Sequence, residues 1–128
     1  MRVVAAIIES NGEVLTCRRA AHKSLAGKWE FPGGKVEAGE TDTAALTREI
    51  KEELGANVVV EELVETTFSN ANGLTIEMAS YMCSLIGQRP TQSSDHDILL
   101  WLSADELKTL DWAELDIPVV AKLLSMPN

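Results

Sequence analysis

Three glutamates of this chain are spaced so that a helix would bring their side chains together. Glu49, Glu52 and Glu53 stand at positions i, i+3 and i+4, which share one helix face. Such neighbours repel one another by roughly 0.2–0.5 kcal/mol, and a hard divalent cation would turn that repulsion into binding. Mg²⁺ prefers a few carboxylates and keeps waters that phosphates can replace. The three glutamates therefore offer a magnesium site for a phosphate compound, although taken alone they favour the alternative, a solvated acidic face with an Arg48 to Glu52 ion pair.

The residues around this cluster predict the elements that position it. Thr41 is suited to cap a helix and Gly55 to end one, so the helix is expected over residues 42–54. Its buried stripe would be Leu46, Ile50 and Leu54. Residues 20–40 are rich in glycine and proline, which indicates a loop, and its place before the helix predicts a substrate loop.

The stretch from Gly34 to Ala56 resembles the signature of the Nudix hydrolases at every spacing. The matching positions are Gly34, Glu40, Arg48, Glu49, Ile50, Glu52, Glu53, Gly55 and Ala56. Ala56 is smaller than the Ile, Leu or Val usual at its position, which should affect packing more than chemistry. Residues 3–8, 18–19, 29–35 and 116–118 are similar to the MutT branch and its CTP pyrophosphohydrolase relatives.

This resemblance implies an α/β fold, an α/β/α sandwich with a mixed sheet. It also implies hydrolysis of a nucleoside triphosphate to its monophosphate and pyrophosphate with Mg²⁺, for which Mn²⁺ would substitute. The groups expected to hold the metal are the Gly33 carbonyl, Glu49, Glu52 and Glu53. Arg48 would orient one of these glutamates and Glu40 would support it, while Glu49 or Asp95 would orient or deprotonate the attacking water.

The same resemblance implies a set of substrate-binding residues: Arg19, Glu30, Phe31, Pro32, Gly33, Gly34, Lys35 and Asp116. Arg18 and Arg19 point to opposite faces of a strand, and the MutT pattern selects Arg19 as the phosphate contact over a surface ion pair. Lys35 would approach the phosphates or pair with Glu37. Phe31 would contact the substrate or lie in the core.

Asp95 and Asp116 depart from the residues usual in the MutT pattern. Asp95 stands where relatives carry a glutamate that joins the metal site, and its alternative is a solvated turn. His96 would lie behind the ligands or at the surface, because Mg²⁺ prefers oxygen. Asp116 replaces an asparagine that hydrogen-bonds the base, and its alternative is a helix N-cap. Trp29 is the best placed of the tryptophans to stack on a base.

An ionised Asp116 accepts hydrogen bonds only, which favours the cytosine amino group. The expected substrates are therefore CTP, dCTP or a modified pyrimidine nucleotide, followed by 8-oxo-dGTP, which a protonated Asp116 would read. One alternative is another compound linked to a nucleoside diphosphate, such as an ADP-sugar or dinucleoside polyphosphate. Residues 70–74 lack the proline or tyrosine of those subfamilies. A second alternative, a non-catalytic nucleotide sensor, is disfavoured by the intact glutamates.

Composition is typical of a small soluble enzyme. The 128 residues, 45% of them hydrophobic, predict one domain over residues 1–128. A net charge of −9 argues against a long nucleic acid as partner, but a nucleotide carrying Mg²⁺ is compatible with it. Cys17 and Cys83 are expected to be buried thiols, which fits the cytoplasm. The apolar run 3–8 is too short for a signal or membrane span, and a monomer or weak homodimer is expected.

The remaining elements follow from turn residues and alternation. Asn11-Gly12 predicts a hairpin between residues 2–9 and 13–19. A second hairpin is predicted between residues 57–68 and 74–85. After it we expect a polar loop over residues 88–97, a strand over 98–102, and helices over 104–110 and 117–124.

Overall fold

The computed structural model describes residues 1–126, with the backbone alone at Ala71. Residues 127–128, which end the predicted domain, lie outside the described residues. The strands are β1 (Arg2–Ser10), β2 (Glu13–Arg19), β3 (Trp29–Glu30), β4 (Gly33–Lys35), β5 (Asn57–Ala71), β6 (Leu74–Ile86) and β7 (His96–Leu102). The helices are α1 (Asp42–Leu54), α2 (Ala104–Leu107) and α3 (Ile117–Ser125), with a 3₁₀ turn at Glu114–Asp116 before α3.

All the strands belong to one mixed sheet. Its main order is β3-β2-β1-β6-β5, with β4 paired to β1 and β7 paired to β2. β1 runs parallel to β6 and antiparallel to β2 and β4. The β4 pairing holds the glycine-rich segment against β1, directly before the chain enters α1.

The two faces of the sheet are covered by different helices. Val4, Ala6 and Ile8 of β1 are buried with the apolar residues of α1. The alternate residues Ala5 and Ile7 are buried on the other face with α2 and α3. Because strand residues alternate between faces, β1 contributes to both cores. The predicted α/β/α sandwich with a mixed sheet is confirmed.

The helix α1 has the predicted ends. The Thr41 side chain accepts a hydrogen bond from the Ala44 amide, and Gly55 ends the helix in the left-handed conformation, with φ of 65°. The buried residues include the expected apolar stripe and also Glu53. α1 therefore carries one of its carboxylates into the protein interior.

Several predicted boundaries need correction. The second hairpin turns on Asn72-Gly73, both at positive φ, and residues 70–71 belong to β5 rather than to the turn. β7 begins at His96, so the polar loop is shorter than predicted, and α2 ends at Leu107. Within residues 1–126, no helix combines the length and the apolar character that crossing a membrane requires.

Candidate active site

A cleft of about 460 Å³ opens where β1, β3, β4 and the start of β7 meet α1. The cleft is lined by residues of β1 and β6 and by side chains that carry positive and negative charges. The lining residues are Val3, Val4, Ala5, Arg19, Lys23, Glu30, Phe31, Gly33, Gly34, Lys35, Glu37, Glu49, Met78, Asp95 and Asp116. Most of the predicted site residues are therefore brought together in one cavity, of a size that suits a small-molecule ligand.

Arg48 organises the carboxylates at the start of this site. Its Nε and Nη2 donate to the Glu40 carboxylate at 2.8 and 2.9 Å, and its Nη1 donates to Glu49 Oε1 at 2.8 Å. The hydrogen bonds from Arg48 hold the pKa of Glu40 at about 2. Arg48 also reaches Glu52 Oε2 at 3.3 Å, so the i, i+4 ion pair is present as well. Arg48 orients Glu49 as predicted, and Glu40 supports that arrangement.

The glycine-rich segment lies directly against the Glu49 carboxylate. A Cβ atom at Gly34 would lie 2.3 Å from Glu49 Cδ, and one at Gly33 would lie 1.9 Å from the Val4 carbonyl oxygen. Arg48 Nη2 also donates to the Lys35 carbonyl at 3.1 Å, which ties the segment to α1. Both glycines are thus needed for close approach: Gly33 for pairing with β1, and Gly34 to leave room for Glu49.

Glu53 is the buried carboxylate of α1, with a side chain only 4% exposed. Its Oε1 lies 3.4 Å from His96 Nδ1, whereas its Oε2 is buried without a hydrogen-bond partner. Burial raises the pKa of Glu53 to about 9, and the negative charges of Asp95 and Glu30 add to the effect. A buried oxygen without a partner costs free energy unless something binds it. The position and chemistry of this atom fit a divalent cation.

Glu52 differs from its neighbours because its side chain is 62% exposed. Within residues 1–126, no three His, Cys, Asp or Glu side chains are already grouped as a metal site. Arg48 Nη1 instead donates to Glu49 Oε1 at 2.8 Å and to Glu52 Oε2 at 3.3 Å. A cation would have to compete with this guanidinium for the two glutamates.

His96 is buried behind the lining of the cleft and contacts residues of two different segments. Its buried ring bonds through Nε2 to Glu30 Oε2 at 2.8 Å and through Nδ1 to Ser93 Oγ at 2.7 Å. It therefore lies behind the candidate ligands, which is one of the two expected positions, but its bond to Glu30 was not predicted. Strand alternation could not predict this bond, because β7 contains a bulge. Arg18 pairs with Ile98 and Arg19 with His96, so β7 carries one extra residue. The bulge places His96 opposite Arg19, on the face that carries α1.

Arg19 lines the cleft, while Arg18 pairs with Asp97 on the other side of the strand. This confirms that one arginine of the pair faces the site. Arg19 Nη1 donates to both oxygens of Glu30 at 3.0 and 3.1 Å, and its other nitrogens bond to Ser24. Arg19 is therefore held rigidly at the cleft wall, and its contact with a phosphate stays a prediction.

Asp116 is a buried residue of the cleft lining, and its Oδ1 accepts a hydrogen bond of 3.0 Å from the Phe31 amide. Asp116 is the N-cap residue of α3 by position, as the alternative expected, but its side chain makes no capping hydrogen bond. The 3₁₀ turn before α3 aims the side chain inward instead. Burial raises the pKa of Asp116 to about 8, assisted by the charge of Glu30. The raised pKa favours the protonated alternative, in which Asp116 donates as well as accepts.

The aromatic residues and Pro32 are buried in the protein more than expected and contribute mainly to packing. Trp29 is buried in the core beside Trp112 and does not line the cleft, so the stacking role is wrong. Phe31 is buried and packs on Trp112 at 4.8 Å between ring centroids, although it also reaches the cleft wall. Pro32 is fully buried and its carbonyl accepts from the Ala6 amide, so direct substrate contact by Pro32 is corrected to a role in holding β1.

Asp95 and Lys35 both line the cleft, as does Gly33. The Asp95 carboxylate lies 3.5 Å from the ammonium of Lys23, a residue that was not predicted as part of the site. Glu37 pairs with Arg48 at 3.7 Å rather than with Lys35, so the ion-pair alternative for Lys35 is wrong. Lys35 therefore stays available for a phosphate.

Comparison with known proteins shows the family of this chain. The NUDIX domain matches residues 1–123. A Mycobacterium tuberculosis protein, provisionally named 8-oxo-dGTP diphosphatase 2, is 42% identical over 98% of this chain and 89% of its own. The CTP pyrophosphohydrolase of Escherichia coli K12 is 37% identical over 98% of this chain and 93% of its own. A MutT structure from Staphylococcus aureus shares 41% identity with a TM-score of 0.78, covering 97% of this chain and 95% of that one. The chain belongs to the Nudix family.

Proposed function

We propose that the protein is a metal-dependent pyrophosphohydrolase that converts a nucleoside triphosphate to its monophosphate and pyrophosphate. The observation that carries the proposal is the buried, unpartnered Oε2 of Glu53, close to a cleft that Glu49 lines. Relatives named for 8-oxo-dGTP and CTP hydrolysis support the same reaction class. Such an enzyme would help to sanitise the nucleotide pool and so contribute to DNA repair.

Nudix hydrolases generally depend on a divalent metal. The residues that would hold Mg²⁺ here are the Gly33 carbonyl, Glu49, Glu52 and Glu53, with Mn²⁺ as a substitute. A bound cation supplies a Lewis acid that offsets phosphate charge and acidifies water. Because Glu53 has a pKa of about 9 without metal, binding requires this carboxyl to release its proton. Metal affinity should therefore rise with pH.

The protein groups around that position divide the remaining tasks. Arg48 holds Glu49 at 2.8 Å, so it would orient this carboxylate rather than touch the substrate. Glu49 or Asp95 would orient the attacking water and accept its proton. Arg48 holds the Glu49 carboxylate by a hydrogen bond, and Gly34, which has no side chain, leaves room for it. Glu49 is therefore the better positioned base of the two.

The lining of the cleft suggests how a nucleotide would be bound. Arg19 and Lys35 would contact its phosphates, and Gly34 would let the phosphates approach the backbone. Phe31 and Asp116 would face the base, and Glu30, which Arg19 bonds at 3.0 Å, would also contact the substrate. A neutral Asp116 carries both a donor and an acceptor, so it can pair with cytosine and with an oxidised guanine. CTP, dCTP, modified pyrimidine nucleotides and 8-oxo-dGTP are thus the proposed substrates.

The experiment that tests this function is a hydrolysis panel at saturating Mg²⁺. CTP, dCTP, 8-oxo-dGTP, dGTP, an ADP-sugar and a dinucleoside tetraphosphate would be compared by kcat/KM, with pyrophosphate and phosphate measured separately. Pyrophosphate release from a triphosphate, at a higher kcat/KM than any diphosphate-linked compound, is expected. Preferred cleavage of the ADP-sugar would support the alternative substrate class, and tight binding without turnover would support a nucleotide sensor.

The proposal extends to the surroundings of the enzyme. A net charge of −9 supports a small metal-bound nucleotide as the partner and argues against a long nucleic acid. Cys17 and Cys83 are both buried free thiols, which is compatible with a reducing cytoplasm. We expect a monomer or weak homodimer.

A further inference from the structure

Lys23 is a cation of the cleft that neither the Nudix signature nor the glycine-rich segment accounts for. Its ammonium lies 3.5 Å from Asp95 Oδ1, and both side chains are about one-third exposed, at 33% and 36%. At this distance the contact is an ion pair without a hydrogen bond. Lys23 is thus held near Asp95 but not locked onto it.

Backbone hydrogen bonds fix the position of the Lys23 turn next to Asp95. The Ala20 amide donates to the Asp95 carbonyl at 3.1 Å, and the Lys23 amide donates to the Ala20 carbonyl at 3.0 Å. The turn that carries Lys23 is therefore docked on the residue with which its side chain pairs. An unrelated surface lysine would not be anchored to its partner in this way.

The charges around Lys23 indicate which group it replaces. Asp95 lies beside the end of α1, because the amide of the neighbouring Ser94 donates to the Glu53 carbonyl at 3.2 Å. Arg19, another cation of the cleft, is already engaged by Glu30 and Ser24. Lys23 is therefore the cleft cation that pairs with Asp95, the carboxylate that the MutT resemblance associates with the metal site.

We propose that Lys23 stands in for the divalent cation at Asp95 in the metal-free enzyme and moves to a phosphoryl oxygen of the nucleotide when metal takes Asp95. This inference rests on the proposed function. It makes Lys23 a substrate-binding residue whose released ammonium helps to hold the pyrophosphate part of the nucleotide. A single side chain then serves both states, because the same loop faces Asp95 and the open cleft.

The test measures binding rather than turnover. Lys23→Met should bind Mn²⁺ alone about 2- to 5-fold more tightly than wild type, because an exposed competing ion pair is removed. Mn²⁺ affinity would be read from the signal of free Mn²⁺ in electron paramagnetic resonance. The same variant should bind inorganic pyrophosphate with Mg²⁺ about 10-fold more weakly by calorimetry, since a charge-assisted hydrogen bond is lost. Lys23→Arg should restore most of the pyrophosphate affinity.

Lys28→Met is the matched control, because Lys28 lies in the same loop and pairs with Asp111 at 2.9 Å outside the cleft. It should alter neither affinity. In an Asp95→Asn background, Lys23→Met should no longer tighten Mn²⁺ binding. Unchanged or weaker Mn²⁺ binding by Lys23→Met would overturn the stand-in role, and unchanged pyrophosphate binding would overturn the phosphate contact. Nucleotide hydrolysis by wild type, assayed in parallel, reports separately on the proposed function.

Discussion

Replacing Gly34 with alanine should disable the enzyme while leaving it folded. The added Cβ would lie 2.3 Å from Glu49 Cδ and 2.4 Å from its Oε2. Carbon atoms pack at roughly 3.5–4.0 Å, so the carboxylate has to move by about 1.2 Å or more. Displacements near 1 Å of a reacting group cost about 10²-fold in rate. We therefore expect kcat of Gly34→Ala to fall by about 10²-fold at saturating Mg²⁺.

The fold should tolerate this change, because the clash involves the end of a flexible side chain that is 21% exposed. The Tm of Gly34→Ala should stay within about 5 °C of wild type. Gly33→Ala provides the contrast, since its Cβ would lie 1.9 Å from a backbone oxygen of β1. That variant should lose stability as well as activity, because the pairing of β4 with β1 has to open.

The assay is steady-state pyrophosphate release, with circular dichroism melts on the same preparations. A Glu49→Ala background supplies the control, because removing the carboxylate removes the clash. Gly34→Ala should then cause little further loss, so the two effects should be strongly non-additive. A Gly34→Ala enzyme with wild-type kcat, or an undiminished loss in the Glu49→Ala background, would refute this account of the glycine.

Three further predictions concern residues beyond the glutamate helix. Because the folded-state pKa of Asp116 is raised from 3.8 to about 8, its stabilising effect is complete below about pH 4 and is lost as the pH rises towards 8. Asp116→Asn should therefore gain Tm over wild type progressively across that interval, and a constant difference would contradict the buried neutral carboxyl. His96→Asn, which breaks the bond to Glu30, should lower kcat about 10- to 100-fold; an unaltered kcat would reduce His96 to packing. Asp95→Asn should lower kcat with little change in KM if Asp95 acts in the transition state, and an unchanged rate would leave Glu49 as the base.

Local residue chemistry was enough to predict the helix and the first hairpin. Thr41 and Gly55 have capping preferences that do not depend on distant contacts, and both cap α1 as expected. Asn11-Gly12 sits at positive φ between β1 and β2 for the same kind of local reason. The resemblance to the Nudix signature also implied that Arg48 would pair with one of the box glutamates, and its Nη1 donates to Glu49.

Positions that depend on long-range packing were predicted less well. Trp29 precedes Glu30 in β3, so the two side chains take opposite faces, and only contact with Trp112 across the fold reveals which face is buried. Asp116 has an N-cap position in sequence, but its partner is the Phe31 amide, 85 residues away. The bulge in β7 shifts His96 to the α1 face, which simple alternation cannot predict.

On the proposed function, Glu53 binds a divalent cation needed to release pyrophosphate from a nucleoside triphosphate. The most direct measurement follows the products formed from dCTP and 8-oxo-dGTP by wild type and Glu53→Gln, with Mg²⁺ and with EDTA, and compares Mn²⁺ binding to both proteins. We predict monophosphate and pyrophosphate from wild type with Mg²⁺, none with EDTA, and for Glu53→Gln weaker Mn²⁺ binding with kcat lowered by about 10²-fold or more. Turnover that persists in EDTA, release of inorganic phosphate instead of pyrophosphate, or wild-type Mn²⁺ binding and kcat in Glu53→Gln would contradict the claim.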